Sequence, residues 1–368
     1  MVFHKTHGMN QPLFSMRTLY VSRTPADSSV YPTISAALDA IPMEHTEPVC
    51  ICLAPGIYHE KITISKPYVT LTGSGKSNKD VVLTYDDYAL APMADIGKLG
   101  TFRSYSVFID THDVTLQNLT IENASGDSLT HGQAIALYAD GDRLVIDSCR
   151  LIGHQDTLFT GPLPPKEIEP DGFIGPKQFA PRINGRQYYK NCYICGDIDF
   201  IFGSATAYFE SCVIESLCRT TNVNGIQGYI TAASTPESQE YGYVFSNCKL
   251  ISKNCPPNSV YLGRPWRNYA KTVFLECALG NHIHECGFHD WKKEDARNTV
   301  LYAEYRNYPA SSADTPSNNR SLNDDIHCID GRCIPYPHRA EYVCELDAVQ
   351  AEHFSKENVL SGADHWNP

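Results

Sequence analysis

Residues 187–214, QYYKNCYICGDIDFIFGSATAYFESCVI, contain one short phrase twice, as Asn191-Cys192-Tyr193-Ile194 and Ser211-Cys212-Val213-Ile214. The phrase is a small or polar residue, then Cys or Leu, then any residue, then Ile or Leu. Working outward, it recurs at Asn118-Leu119-Thr120-Ile121, Ser148-Cys149-Arg150-Leu151, Asn247-Cys248-Lys249-Leu250 and Glu276-Cys277-Ala278-Leu279. Three residues before each Cys or Leu stands a large apolar residue: Leu116, Ile146, Tyr189, Phe209, Phe245 and Phe274. This alternation has the period of strands, not of helices.

Successive marks lie 30, 43, 20, 36 and 29 residues apart. The shortest gap is one bare unit, and the longer gaps are units carrying loops. Removing the proline-dotted stretch 162–185, which is 24 residues, from the gap of 43 leaves 19. A strand set that recurs every ~20 residues and buries its face only against its neighbours reads as a parallel β-helix, with a β-sandwich as the rival. Ile34, Ala37, Leu38 and Ile41, stopped by Pro42, predict a short amphipathic helix capping the first coil. Residues 310–335 read as a surface loop before a helical segment around Asp347–Phe354. The expected organisation is therefore all-β. Residues 1–17 form a poorly ordered extension, and residues 18–368 form one β-helix domain with a capping helix, a C-terminal helical segment and a long loop insertion at 162–185.

The repeat makes a geometric statement. Asp156 lies seven residues after Cys149, and Asp199 lies seven after Cys192. Equal phase in adjacent coils places both in one column, with backbones about 4.8 Å apart. Two carboxylates that close do not both ionise easily, so one pKa is expected to rise and the other to fall. Turn aspartates are the plain alternative. Asp199, however, sits in the apolar run Ile198-Asp199-Phe200-Ile201-Phe202-Gly203, where an unpaired charge is costly. Arg219, seven residues after Cys212, is expected in the same column one coil on, where it would bind a substrate carboxylate.

At these residues the chain resembles the pectin methylesterases (pectinesterases) of the pectin lyase-like β-helix superfamily. Gly56-Ile57-Tyr58-His59-Glu60, Gln133-Ala134-Ile135-Ala136-Leu137, Gln155-Asp156-Thr157-Leu158, Asp199-Phe200-Ile201-Phe202-Gly203 and Leu262-Gly263-Arg264-Pro265-Trp266 look like that family's five blocks, in its order. The resemblance implies a right-handed parallel β-helix and hydrolysis of galacturonate methyl esters to carboxylate and methanol. It implies that Asp199 is the nucleophile and Asp156 the general acid and base. Gln133 and Gln155 would donate to the oxyanion, and Arg264 would orient Asp199. Trp266, Phe159 and Phe202 would offer flat faces to sugar rings, although the two phenylalanines equally suit a core. No metal or cofactor is implied. Ser204 and Tyr138 depart from the family's usual Asn and Arg. The 162–185 insertion directly follows the Gln155-Asp156 block and is expected to dock beside it through Phe173, Ile174 and Phe179.

Other signals weigh less. Gly126-Asp127-Ser128-Leu129 spells an esterase nucleophile block, but it lies between coils of a β-helix rather than in an α/β setting. His282, His284, Cys286 and His289 have zinc-like spacing, and solvated loop histidines explain them as well. A net charge of −12 argues against nucleic-acid or anionic-membrane partners. The expected partner is methylated galacturonan or oligogalacturonide, bound by a monomer. The 14 cysteines and a first stretch lacking a continuous apolar run suit a reducing, cytoplasmic compartment, unless a leader has been removed. Two rival readings remain at this stage: a non-catalytic carbohydrate-binding β-helix, and the same machinery acting on another acyl ester or thioester.

Overall fold

The computed structural model describes residues 16–94, 97–219, 225–310 and 338–368. The expected extension, apart from its last two residues, and the loop expected at 310–335, apart from Ala310, lie outside the described residues.

The repeat folds as coils of a parallel β-helix. One coil runs Leu137–Ala139, Leu144–Asp147, Arg150–Ile152, and the next Leu158–Thr160, Arg186–Lys190, Tyr193–Gly196. A third runs Ile198–Gly203, Thr206–Glu210, Val213–Ser216. Like strands of successive coils pair in parallel, building sheets of seven, twelve and nine strands around one apolar interior.

The phrase that revealed the coils has a physical reason at each position. Asn118, Ser148, Asn191, Ser211, Asn247 and Glu276 all take φ between 51° and 55°, bending the chain from the twelve-stranded to the nine-stranded sheet. A left-handed residue normally costs about 1–2 kcal/mol, and short polar side chains such as Asn tolerate it best. The following cysteine points inward, and its thiol donates to a carbonyl of the coil before. Cys192 Sγ reaches Ile146 O at 3.2 Å, Cys248 Sγ reaches Phe209 O at 3.4 Å, and Cys277 Sγ reaches Phe245 O at 3.5 Å. The large residue three places earlier stacks on its counterparts: Tyr189 on Phe209, Phe209 on Phe245 and Phe245 on Phe274, with centroids 4.6, 4.4 and 4.5 Å apart. Burying each such ring contributes roughly 1.5–3 kcal/mol.

The N-terminal helix is Ile34–Asp39, with Ile34, Ala37 and Leu38 buried over the first coil. Its start is capped by Thr33 and by Glu60, whose carboxylate accepts from Ile34 N and Ser35 N at 3.0 and 3.1 Å. Glu60 of the first block thus has a structural task. The C-terminal segment forms Ala348–Glu352, opened by an Asp347–Gln350 capping box, and a second helix, Lys356–Leu360, which was not anticipated. Val359 and Leu360 pack with Tyr188 and Tyr208 on the outer face of the twelve-stranded sheet.

The insertion leaves the chain between Leu158–Thr160 and Arg186–Lys190 and contains no helix or strand. Leu163 and Phe173 are buried, but Phe179 is 92% exposed and does not anchor it. A clip of hydrogen bonds organises it instead. The Arg182 guanidinium donates to the carbonyls of Pro164, Lys177, Gln178 and Ala180.

Candidate active site

Asp199 is the second residue of the strand Ile198–Gly203, and Asp156 lies two residues before its paired strand Leu158–Thr160; in this pair Leu158 aligns with Ile201 and Phe159 with Phe202. The two aspartates therefore occupy matching positions on adjacent strands, as the repeat phase requires. Both take left-handed backbone, φ 67° and 49°. At Asp199 the ladder also slips: Ile198 faces Tyr229, but Ile201 faces Thr231, so Asp199 and Phe200 oppose a single residue. This bulge puts Phe200 and Ile201 together in the interior and turns Asp199 out of the regular alternation. Non-glycine residues in such backbone concentrate where function demands a particular side-chain direction.

Arg264 grips Asp199 through both arms of its fork, Nε to Oδ1 at 2.8 Å and Nη2 to Oδ2 at 2.7 Å. Its guanidinium carbon lies 3.9 Å from the Tyr229 ring centroid and 3.7 Å from that of Trp291. Stacking of this kind orients a planar guanidinium and leaves its edge for the carboxylate. Gly263 permits the approach, because a Cβ there would lie 2.0 Å from Thr231 Oγ1. Lys293 holds the next two residues by donating to Pro265 O and Trp266 O at 2.7 and 3.1 Å. Burial, with help from Arg267 and Arg264, pushes the Lys293 pKa down to about 8. Sequence reasoning missed Tyr229, Trp291 and Lys293. They belong to none of the five blocks and meet Arg264 only through the tertiary fold.

Burial raises the pKa of both aspartates. Asp156 goes well above the ordinary range, since the Asp199 charge adds to desolvation. Asp199 rises less, because the Arg264 charge and hydrogen bonds offset its burial. The expected fall of one partner is thus corrected. The pair is split, but both members are raised, because Arg264 offsets burial without overcoming it. The folded chain binds the Asp156 proton more tightly than the unfolded chain does. Stability must therefore decline as pH rises from the ordinary carboxylate range through the raised folded value. Asp156→Asn should remove that decline and lift the melting temperature at pH 8 by roughly a few degrees, measured by thermal scans between pH 4 and 8.

Gln133 and Gln155 bridge each other's backbones on adjacent coils. Both are half-buried, and neither side-chain amide hydrogen-bonds to protein among the described residues, which leaves the donors available to a ligand. Trp266 is half-buried, with its ring centroid 5.7 Å from that of Phe202. Phe159 is fully buried and Phe202 is 4% exposed, both in an aromatic cluster on the outer face of the sheet. The expectation that Phe159 and Phe202 present open faces to sugars is corrected accordingly. Arg219 is also displaced from its expected column. It comes three residues after the strand Val213–Ser216 ends, and the strand that pairs with Asp199's strand begins only at Gly228. Arg219 Nε instead donates to Ser128 Oγ at 3.2 Å.

Ser128 in turn donates to Asp197 Oδ2 at 2.7 Å, and Asp197 Oδ1 accepts from Ile198 N at 2.6 Å. The serine of the Gly126-Asp127-Ser128-Leu129 block thus donates to a carboxylate oxygen that His154 Nδ1 also approaches, at 3.5 Å. Among the described residues, no three or more His, Cys, Asp or Glu side chains gather as a metal-binding group, and the 282–289 histidines are no exception.

The site thus combines a buried carboxylate held by Arg264 on a bulged strand, a second carboxyl of higher pKa at the matching position of the adjacent coil, and two glutamines on bridged coils, all on a parallel β-helix. A family model described as Pectinesterase matches residues 21–162 and 182–321. Pectinesterase 31 of Arabidopsis thaliana is 32% identical over 318 residues, 84% of this chain and 90% of that protein. The pectin methylesterase PemA from Erwinia chrysanthemi superposes with a TM-score of 0.71 at 26% identity, covering 96% of this chain and 99% of that one. A pectin methylesterase crystallised with a hexasaccharide superposes at 0.70 and 26% identity, covering 96% and 100%. The chain belongs to the pectinesterase family, and it is a carboxylic ester hydrolase.

Proposed function

We propose that this chain removes methyl groups from methyl-esterified galacturonate, with Asp199 as nucleophile and Asp156 as acid and base. The observation that carries the reading is the asymmetric surroundings of the two aligned aspartates. Only Asp199 is held by the Arg264 fork, while Asp156 lies beside the Asp199 charge without an ion-pair partner among the described residues. The Asp199 carboxylate attacks the ester carbonyl carbon, and the oxyanion that forms takes hydrogen bonds from the amides of Gln133 and Gln155. The bond to the methoxy oxygen then breaks as Asp156 gives its proton to departing methanol. This leaves an anhydride between substrate and Asp199. Asp156, now a carboxylate, takes a proton from water that attacks the acyl carbon, which frees the product acid and restores both residues.

Residues 18–368 act as one domain and one copy in this reading. The twelve described cysteines are all unbridged, which suits a reducing, cytoplasmic setting. The test is methanol release from methylated galacturonides. A chain that binds them without releasing methanol would be the carbohydrate-binding rival. Gln155→Ala should lower kcat by roughly 10²–10³, the loss typical of one oxyanion donor, with KM little changed. A variant as fast as the parent would remove Gln155 from the mechanism.

A further inference from the structure

The segment that leaves the coil after Asp156 falls outside the family model, whose match skips residues 163–181. Its position bears on what can reach the aspartates. Phe108, Tyr138, Phe159 and Phe202 align on successive strands of the seven-stranded sheet, all directed to its outer face. On an uncovered solenoid, such a face is an open-ended groove. Here it is roofed.

Phe102 lies over the column with its ring 5.0 Å from Phe159 and 6.0 Å from Tyr138, and Phe173 of the insertion closes on Phe102 at 5.8 Å. The column has lost nearly all its solvent contact. Gly175 rides so tightly over Phe102 that a Cβ there would sit 2.7 Å from the Phe102 Cβ. The roof is tied down on both flanks, by Lys177 to Asp110 at 2.5 Å and by Arg267 Nη2 to Lys166 O at 2.7 Å. Phe173 also meets Trp266 edge-on at 6.2 Å. With Arg182 gathering four of its own carbonyls, this is a fixed wall and not a loose loop.

Building on the proposed function, we infer that the insertion closes the substrate groove beside the catalytic aspartates and restricts this esterase to short or chain-terminal methyl galacturonides. A polymer lying along the sheet would have to run through the volume held by Phe102, Leu163 and Phe173. An ester within a unit or two of a chain end does not.

The experiment compares kcat/KM per ester on a methylated trigalacturonate and on high-molecular-weight methylated pectin. The parent chain should favour the trimer by about tenfold or more. Equal rates, or preference for polymer, would overturn the inference. No methanol from either substrate would instead defeat the proposed function. Replacing residues 163–184 by a short Gly-Ser linker should raise the polymer rate about tenfold relative to the trimer. Because that deletion uncovers the aromatic column, the double variant Phe173→Ser, Lys177→Glu serves as a second arm that loosens the roof without removing it. Its melting curve is to be checked first. A ratio unchanged in a folded variant of either kind would overturn the inference.

Discussion

Asp199→Asn is expected to lower methanol release by roughly 10⁴-fold or more, the scale on which nucleophile removal acts in enzymes that form acyl intermediates. The amide keeps the shape of the carboxylate and still accepts from one arm of Arg264, but it leaves that buried guanidinium without its counter-charge, so a folded variant with a lowered unfolding midpoint is expected. What disappears is the anionic oxygen that attacks the carbonyl in the proposed reaction. Comparison with Asp156→Asn separates the two roles. An ester whose leaving group departs as a stable anion needs no proton at the first step. Asp156→Asn should therefore form the acyl-enzyme from such a substrate and accumulate it, because the base for the second step is gone. Asp199→Asn should form none. Mass spectrometry of the quenched enzyme reads the difference. Acylation of Asp199→Asn at the parent rate would exchange or abolish the assignment.

Arg264→Ala is expected to be the most damaging single change to the site's support. It leaves the Asp199 carboxylate buried without its partner, and breaking one side of a buried pair costs about 3–5 kcal/mol. It also removes the influence that offsets burial at Asp199. The Asp199 pKa must then climb further, so the acidic limb of the rate profile, where Asp199 protonates and stops attacking, moves to higher pH. Arg264→Lys restores a charge but not the fork, nor the stacking on Tyr229 and Trp291, and should recover only part of the rate. Denaturant midpoints and kcat from pH 4 to 9 test both statements. An Arg264→Ala enzyme with the parent's acidic limb would mean that Asp199 does not depend on this pair.

The aspartate column was legible because coil phase is a local property. Seven residues lead from Cys149 to Asp156 and from Cys192 to Asp199, with no loop intervening, so counting along the chain gave the alignment found in the sheet. The same count failed at Arg219. One strand ends at Ser216 and the next begins only at Gly228, so Arg219 belongs to neither and the phase count no longer applies to it. The aromatic residues failed for another reason. Period two sets Phe159 and Phe202 opposite to the inward Leu158 and Ile201, on the outer face, but does not say whether that face is open. Phe102 and Phe173, distant in sequence, cover it.

The sequence by itself determined the coil, the paired aspartates and the family. Left-handed bends, inward thiols and stacked rings each select a residue type at a set spacing, and that spacing is visible without coordinates. Tertiary structure alone decided how the pair is biased and what can approach it. The cradle of Tyr229, Trp291 and Lys293 around Arg264 joins residues 27 to 35 positions from it in sequence, and burial, which no local pattern encodes, raises both carboxyls. The position of the insertion was likewise settled by contacts with Phe102, Asp110 and Arg267. A proline-rich segment carries no period from which its docking could be read, since its place depends on surfaces that exist only after the coils have stacked.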